Sequence, residues 1–432
     1  MHAMNEELLL HQLAIIEARW PTLAGALATA QLGDFQVELC EGSGSTLLVN
    51  GIQLTSRHDR EAEAQLQANS LPNARELHLY GTGLGDLPPL LLARPDLKRL
   101  HIHILNHTLF TLLLALLEWK WLQDPRLQLS LASDETEITL PFFAIPSELE
   151  LAETAASRIR GRLISEISAE YTKLRFAPDS ARVQTRLAEN LPLIRADGDV
   201  ASLFDSAPHG TAVIIASGPT LQHHLPRLAA LLHCHPKWQL ICVDTAVAPL
   251  RQHHITPHLV VCIDDRLAQD HLASDGLITV PLVYTPMVPN ATLNSWPGPR
   301  LTAYSISPMY QDLRETQPKG VLHQGGSVLH PAVDLAVKMG CSDIILLGCD
   351  FAFPGGQTHT GWQDGALGPT AHQTFGWTLD GHGHRVVTNP NFTTYQIELE
   401  RYIAKHPQIR FWNTSRDGAA ILGSRYHPEF VS

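Results

Sequence analysis

Apolar positions follow two rhythms along the chain. Short runs rich in Val, Ile and Leu alternate with longer stretches in which apolar residues return at helical spacing, the pattern of strands interleaved with helices. In the second half, the runs at 212–216, 239–243, 259–263 and 343–348 are nearly unbroken apolar stretches, and those at 278–284, 301–305 and 409–413 are interrupted ones. That predicts strands covered on both faces, as in a parallel sheet. Residues 77–80, 100–105 and 127–131 predict a smaller parallel sheet in the first part, with helical segments at 86–94 and 107–122 between them. An amphipathic helix carrying Leu8, Leu9, Leu13 and Ile16 precedes it, followed by a hairpin pairing 36–41 with 46–54 around Gly42 and Gly44. Residues 131–150, with Pro141 and Pro146 among scattered acids, read as a linker, and 147–195 as helical with breaks at Pro178 and Pro192. The fold class is therefore α/β: a Rossmann-like domain over 1–146, a helical connector over 147–207, a larger doubly wound parallel-sheet domain over 208–425 and a short tail over 426–432.

Composition narrows the function. The apolar share of 44% with 17% charged residues is that of a globular protein. Net charge is −12, from 31 basic and 43 acidic residues, with no dense basic run, which argues against a nucleic acid partner. The six cysteines show no CxxC spacing and read as reduced and structural. The longest uncharged apolar run, 109–117, is far short of the roughly 20 residues that cross a bilayer, and the first residues carry acids where a signal peptide carries bases. No membrane span and a cytoplasmic location are expected.

Chemistry concentrates in the larger domain. Ser217-Gly218-Pro219-Thr220 follows a strand and opens a helix, a turn whose N–H groups and positive dipole end suit a phosphate. The same residues also make an ordinary strand-to-helix turn. Three strand ends finish in acids, at Asp244-Thr245, Asp264-Asp265 and Asp350; ligands of open parallel sheets sit outside those ends, although each acid could equally cap the next helix. Gly325-Gly326-Ser327 precedes a second helix and offers a second anion-facing end. The stretch 351–385, rich in Gly, His, Thr and Trp, is too long for a plain connection and reads as a lid, with His359, His372, His382 and His384 as candidate bases. His382 and His384 have ligand-like spacing, but no third metal ligand is evident, so no metal is assigned. In the first domain Gly81-Thr82-Gly83-Leu84-Gly85 has a GxGxG spacing and the next strand ends in Leu105-Asn106, where a ribose-binding acid would be expected. A structural glycine turn is the stronger reading there, a cofactor turn the weaker.

The segments ASGPTL at 216–221, ICVDTAV at 241–247, HHITPHLVVCIDD at 253–265 and GGSVLHPAVDLAVKMGCSDIILLGCDFAFPGGQTHT at 325–360 resemble the motility-associated-factor (Maf) family of flagellin glycosyltransferases. NTSRDGAAILG at 413–423 and LHLYGTGLGDL at 77–87 fit that resemblance too. More distantly, the second domain is similar to bacterial sialyltransferases using CMP-activated nonulosonic acids and to the 6-hydroxymethylpterin diphosphokinase MptE-like family. The resemblance implies a glycosyltransferase-type domain that moves a nonulosonic acid, pseudaminic or sialic-acid-like, from its CMP ester to Ser or Thr of flagellin, with the flagellin export chaperone as a further candidate partner and no obligatory cofactor. It implies a nucleotide side at Gly218-Pro219-Thr220, a cytidine side at Asp244-Thr245, a sugar side at Gly326-Ser327 and a leaving-group side at 350–353. Phe353 stands where the sialyltransferases present tyrosine, and Thr388 stands closest to their catalytic histidine. The base is therefore sought in the lid, His359 first and His384 second, with Asp264 and Asp350 facing developing positive charge. Two other readings remain: a Mg²⁺-dependent diphosphokinase acting on a small pterin, and a non-catalytic flagellin-binding assembly factor.

Overall fold

The computed structural model describes the chain except residues 1–4, 32–34, 176, 269–271, 273–274, 368, 372–373, 375 and 431–432; for 169–175 it describes the backbone alone. His372 thus lies outside the described residues. Two compact units are present, Met1–Leu163 and Ile164–Ser432.

In the first unit the strands β1 (Val37–Glu41), β2 (Ser45–Val49) and β3 (Ile52–Gln53) form an antiparallel meander. The single strand expected over 46–54 is thus divided into β2 and β3. They are separated by Asn50 and Gly51, both in the left-handed region (φ 49° and 79°), the Asn-Gly turn that matches strand twist in a two-residue hairpin. The parallel sheet comprises β4 (Glu76–Tyr80), β5 (Arg99–Ile104), β6 (Leu127–Leu131) and β7 (Phe142–Ala144), in the order β6-β5-β4-β7. The expected linker over 131–150 is corrected by β7, which pairs parallel with β4. It escapes a pattern reading because it is short and lies between prolines. Asn106 caps the helix His107–Leu116 by accepting from the Leu109 N–H, and that helix buries an almost continuous apolar surface. It ends at Leu116 rather than near 122.

The second unit begins within the helix Ser157–Arg175 and continues through the helix Ala181–Ala196 to a short edge strand, β8 (Gly198–Asp199). Then come β9 (Thr211–Ile215), β10 (Gln239–Val243), β11 (Leu259–Cys262), β12 (Leu282–Tyr284), β13 (Arg300–Thr302) and β14 (Asp343–Leu347). The hairpin β15 (Trp377–Leu379) and β16 (Arg385–Val387) follows, and β17 (Arg410–Asn413) and β18 (Arg425–Tyr426) close the chain. Among the described residues, nine strands form one parallel sheet in the order β18-β17-β14-β9-β10-β11-β12-β13-β8. The predicted strands at 278–284 and 301–305 are shorter than expected, and 425–426, read partly as tail, adds an edge strand.

Successive residues of the central strands serve opposite faces. Val213 and Ile215 pack with Leu221, Leu225 and Leu228 of the helix Leu221–Cys234, whereas Ala212 and Ile214 pack with Leu329 and Val333 of the helix Leu329–Lys338 and with Leu399 and Ile403 of the helix Pro390–Ala404. This explains the unbroken apolar runs: neither face sees water. Ile214 and Leu346 are fully buried, so truncating either to Ala removes about 2–5 kcal/mol of stability. Each connecting helix returns antiparallel to its strand, so helix N-termini gather at the carboxyl edge of the sheet. No helix among the described residues is long and apolar enough to cross a membrane.

Candidate functional site

From β9 the chain builds outward through β10, β11, β12 and β13, while β14, β17 and β18 lie on the other side. The order therefore reverses between β9 and β14, and a crevice outside the carboxyl ends of those strands is where open α/β sheets hold ligands. Residues 217–220 leave β9 at this point and residues 348–350 leave β14.

The two segments are locked together. The Gly218 N–H donates to the Gly348 carbonyl at 2.9 Å, and the backbone N–H and hydroxyl of Thr220 both donate to Asp350, at 2.7 and 2.6 Å. Asp350 thus occupies the start of the helix Leu221–Cys234, where the sequence pattern leaves room for a phosphate. Its carboxylate is 4% exposed, and burial raises its pKa to about 6 against the opposing pull of Thr220. Gly218 is tight for the same reason: a Cβ there would lie 2.4 Å from the Gly348 carbonyl oxygen and 2.5 Å from Asp350 Oδ2.

Hydroxyls and a second acid lie beside this turn. Ser217 Oγ and Thr245 Oγ1 are 2.7 Å apart across β9 and β10. Asp244 keeps Oδ1 on the Thr245 N–H at 2.7 Å, and its buried carboxyl has the Cys262 thiol beside it. Burial, reinforced by the neighbouring Asp264, raises the Asp244 pKa to about 7. Asp264 itself is exposed and accepts the Arg266 N–H, and Asp265 is ion-paired with Arg182. Asp264 follows β11 and Asp350 follows β14, so two strands separate them; at ~4.8 Å per strand they stand on the order of 14 Å apart along the edge. The acids thus divide into Asp244 with Asp264, and Asp350 with Thr220.

The lid closes over this turn. Thr360 donates its N–H to the Ser217 carbonyl at 2.8 Å and its hydroxyl to the Gly218 carbonyl at 2.8 Å; Trp362 Nε1 donates to the Thr245 carbonyl at 3.0 Å. Neither residue stands out in the sequence, although Thr360 adjoins His359 and Trp362 lies just beyond it. The His359 ring sits edge-on to Phe392 with centroids 6.2 Å apart, its Nδ1 is buried without a hydrogen-bond partner, and burial lowers its pKa to about 4. His384 is placed differently: it lies at the tip of the β15–β16 hairpin with a side chain 80% exposed. Phe353 is buried against Phe392, and Thr388 is buried with its hydroxyl on the Phe351 carbonyl at 2.6 Å, which leaves Thr388 a structural part.

Gly325-Gly326-Ser327 opens the helix Leu329–Lys338 on the opposite face from Leu221–Cys234. Gly326 has φ +93° and lies against the Tyr395 ring, where a Cβ would come within 2.6 Å. His330, fully enclosed, has its ring nitrogens at the Ser327 and Tyr395 carbonyls, 3.1 and 3.0 Å away, so this turn is braced by the helix Pro390–Ala404. Tyr395 was not singled out in the sequence; its position against a positive-φ glycine is a tertiary fact. Among the described residues, no three His, Cys, Asp or Glu side chains gather where they could hold a metal ion.

Residues 185–356 match the family model described as 6-hydroxymethylpterin diphosphokinase MptE-like. That span takes in β9 to β14 and both glycine turns and stops before Thr360 and Trp362. Among solved structures, the chain is similar to a MAf glycosyltransferase from Magnetospirillum magneticum AMB-1, at 15% identity and a TM-score of 0.45, covering 98% of this chain and 75% of that one. No curated protein matches the chain in sequence.

Proposed function

We propose that the chain is a glycosyltransferase that moves a nonulosonic acid, pseudaminic or sialic-acid-like, from its CMP ester to Ser or Thr of flagellin in the cytoplasm, during flagellum assembly. The ordered motifs at 216–221, 241–247, 253–265 and 325–360 support this reading. The observation that carries it is the lid held on the switch-point turn by Thr360 and Trp362, a water-excluding cover of the kind group transfer needs. In this mechanism the bond between the sugar's anomeric carbon and the phosphate oxygen breaks, CMP leaves with the electron pair, and the acceptor hydroxyl attacks the oxocarbenium-like centre. Ser217, Asp244 and Thr245 face the nucleoside, Gly326 and Ser327 the sugar and its carboxylate, and Asp264 the developing positive charge. His359 takes the hydroxyl proton. Its lowered pKa keeps it neutral and receptive near pH 7, and transfer comes late, as bond formation acidifies the hydroxyl.

The family match over 185–356 favours one alternative, a Mg²⁺-dependent diphosphokinase in which Asp244 and Asp264 would hold the metal on ATP. Asp350 fits that role poorly, since both its oxygens are engaged by Thr220. The deciding experiment incubates the purified protein with unmodified flagellin and CMP-pseudaminic or CMP-sialic acid and reads the intact mass of flagellin. A parallel reaction with ATP, Mg²⁺ and 6-hydroxymethylpterin is read for AMP release. Sugar-sized mass increments support the transferase; AMP with no increment replaces it by the diphosphokinase; flagellin binding with neither product leaves an assembly factor.

A further inference from the structure

The first unit has a switch point of its own. In the order β6-β5-β4-β7 the chain moves from β4 through β5 to β6 and then returns to the other side of β4, so the reversal lies between β4 and β7. The turn 81–85 leaves β4 there, and the short helix Pro146–Glu150 begins just after β7. By the rule that locates ligands in such sheets, a phosphate would be expected on the amides of this glycine turn.

A protein carboxylate is there instead. Glu148 Oε1 accepts the N–H groups of both Thr82 and Gly83 at 2.6 Å, and the side chain is 3% exposed. Gly81, at φ +87°, must lack a side chain because a Cβ would lie 2.7 Å from the Glu148 carboxyl carbon. The glycine spacing that suggests a cofactor is thus explained by an internal group. The cleft alongside, about 340 Å³, has Thr55, Ser56, Arg60, Thr82, Asp86 and Ser147 in its lining, and several of these pair within the chain. Arg60 grips Asp86 through two bonds of 2.9 and 2.7 Å, Thr55 meets Thr46 at 2.8 Å, and Ser147 donates to the Leu54 carbonyl at 2.9 Å. The cation is neutralised and the Thr82 and Gly83 amides are taken, so a phosphate entering here meets a carboxyl group in place of those two donors. Asp350 stands in the same relation to Thr220 in the second unit: in each, the carboxylate comes from just beyond the strand across the reversal.

We propose that Glu148 is a built-in carboxyl group that fills the oxyanion position of the 81–85 turn, so that the first unit takes no nucleotide there, and that removing this group opens the turn to a small external oxyanion. The probe is formate, which matches the lost carboxylate, with chloride at equal ionic strength as control. Thermal unfolding of the full chain is compared for wild type, Glu148→Ala and Glu148→Gln. Glu148→Ala is expected to unfold at lower temperature and to recover saturably with formate. Wild type and Glu148→Gln, whose amide oxygen can still accept both N–H groups, are expected to respond to formate no more than to chloride. A folded Glu148→Ala indifferent to formate, or an equal response in wild type, overturns the proposal. Should Glu148→Ala fail to fold in chloride, its refolding yield with formate is the readout, with the same expected direction. Independently, hydrogen exchange on wild type is expected to show Thr82 and Gly83 amides protected and unchanged by inorganic phosphate or AMP; a change at these amides also overturns it.

Discussion

Replacing Asp350 by Asn separates the two roles this carboxylate could have. A buried acid whose pKa rises from 3.8 to about 6 favours its neutral form in the folded state. At 1.36 kcal/mol per unit, the difference amounts to about 3 kcal/mol of folding stability that the ionised group lacks at pH 7. The sign follows from linkage: the folded chain holds this proton more tightly than the unfolded one, so the contribution is fully present below pH 3.8 and is lost as pH rises through about 6. Asn mimics the neutral form, since its oxygen can accept the Thr220 N–H and its NH₂ can donate to Thr220 Oγ1. Asp350→Asn should therefore be more stable than wild type at pH 7, by up to about 3 kcal/mol, with the advantage shrinking as pH falls from about 6 towards 4. Asp350→Ala should instead be destabilised by about 1–3 kcal/mol for each orphaned Thr220 donor. Urea unfolding of the second unit, followed from pH 4 to 8 for the three proteins, gives the comparison. An Asn variant less stable than wild type at pH 7, or a difference independent of pH, refutes the argument and means that the charge itself holds the turn.

Four further outcomes follow from the site. Gly218→Ala should lose about 1–3 kcal/mol of stability together with donor binding, because its side chain meets Gly348 and Asp350 rather than a ligand; a fully stable variant with lost CMP affinity by calorimetry would restore the phosphate-facing reading of this glycine. His359→Ala should lower kcat by roughly 10² to 10⁴ with donor affinity nearly kept, whereas His384→Ala at its exposed hairpin tip should change little; the reverse ranking would move the base to the hairpin. In wild type, kcat should rise as pH passes through about 4 and stay flat through neutrality, since burial holds His359 low; a step near 6.5 would assign the titrating base elsewhere. Trp362→Phe, which removes the bond to the Thr245 carbonyl, should raise the donor KM about tenfold at most, and transfer should survive EDTA; restoration by Mg²⁺ of an EDTA-stopped reaction would put the diphosphokinase reading first.

In the second unit the hydrophobic pattern located the central strands because burial on two faces writes nearly unbroken apolar runs; in the first it located them from the alternating runs LHLY, LHIHIL and LQLSL. It failed where an element was too short to carry a period: β7 looked like part of a linker, and β2 and β3 merged although Asn50-Gly51 marks a hairpin. The glycine turns were legible as turns, since a tight strand-to-helix connection needs those residues locally. Their occupants were not. Asp350 lies 130 residues from Thr220 and Glu148 lies 66 from Thr82, and nothing in either turn distinguishes an anion supplied by a ligand from one supplied by the chain.

The histidines show the same division. His359 and His384 sit in one loop of similar composition and are equivalent as letters, yet one is enclosed against Phe392 and the other stands in water. The sequence alone determined the alternation of strand and helix, the parallel sheets and the edge along which polar residues emerge, because these depend on residues near one another in the chain. Only the tertiary structure decided which carboxylate faces which N–H, which acid is buried beside a thiol and which imidazole is desolvated. Those properties depend on what the chain brings back through space, and electrostatics in a low-dielectric interior responds to that proximity rather than to order along the chain.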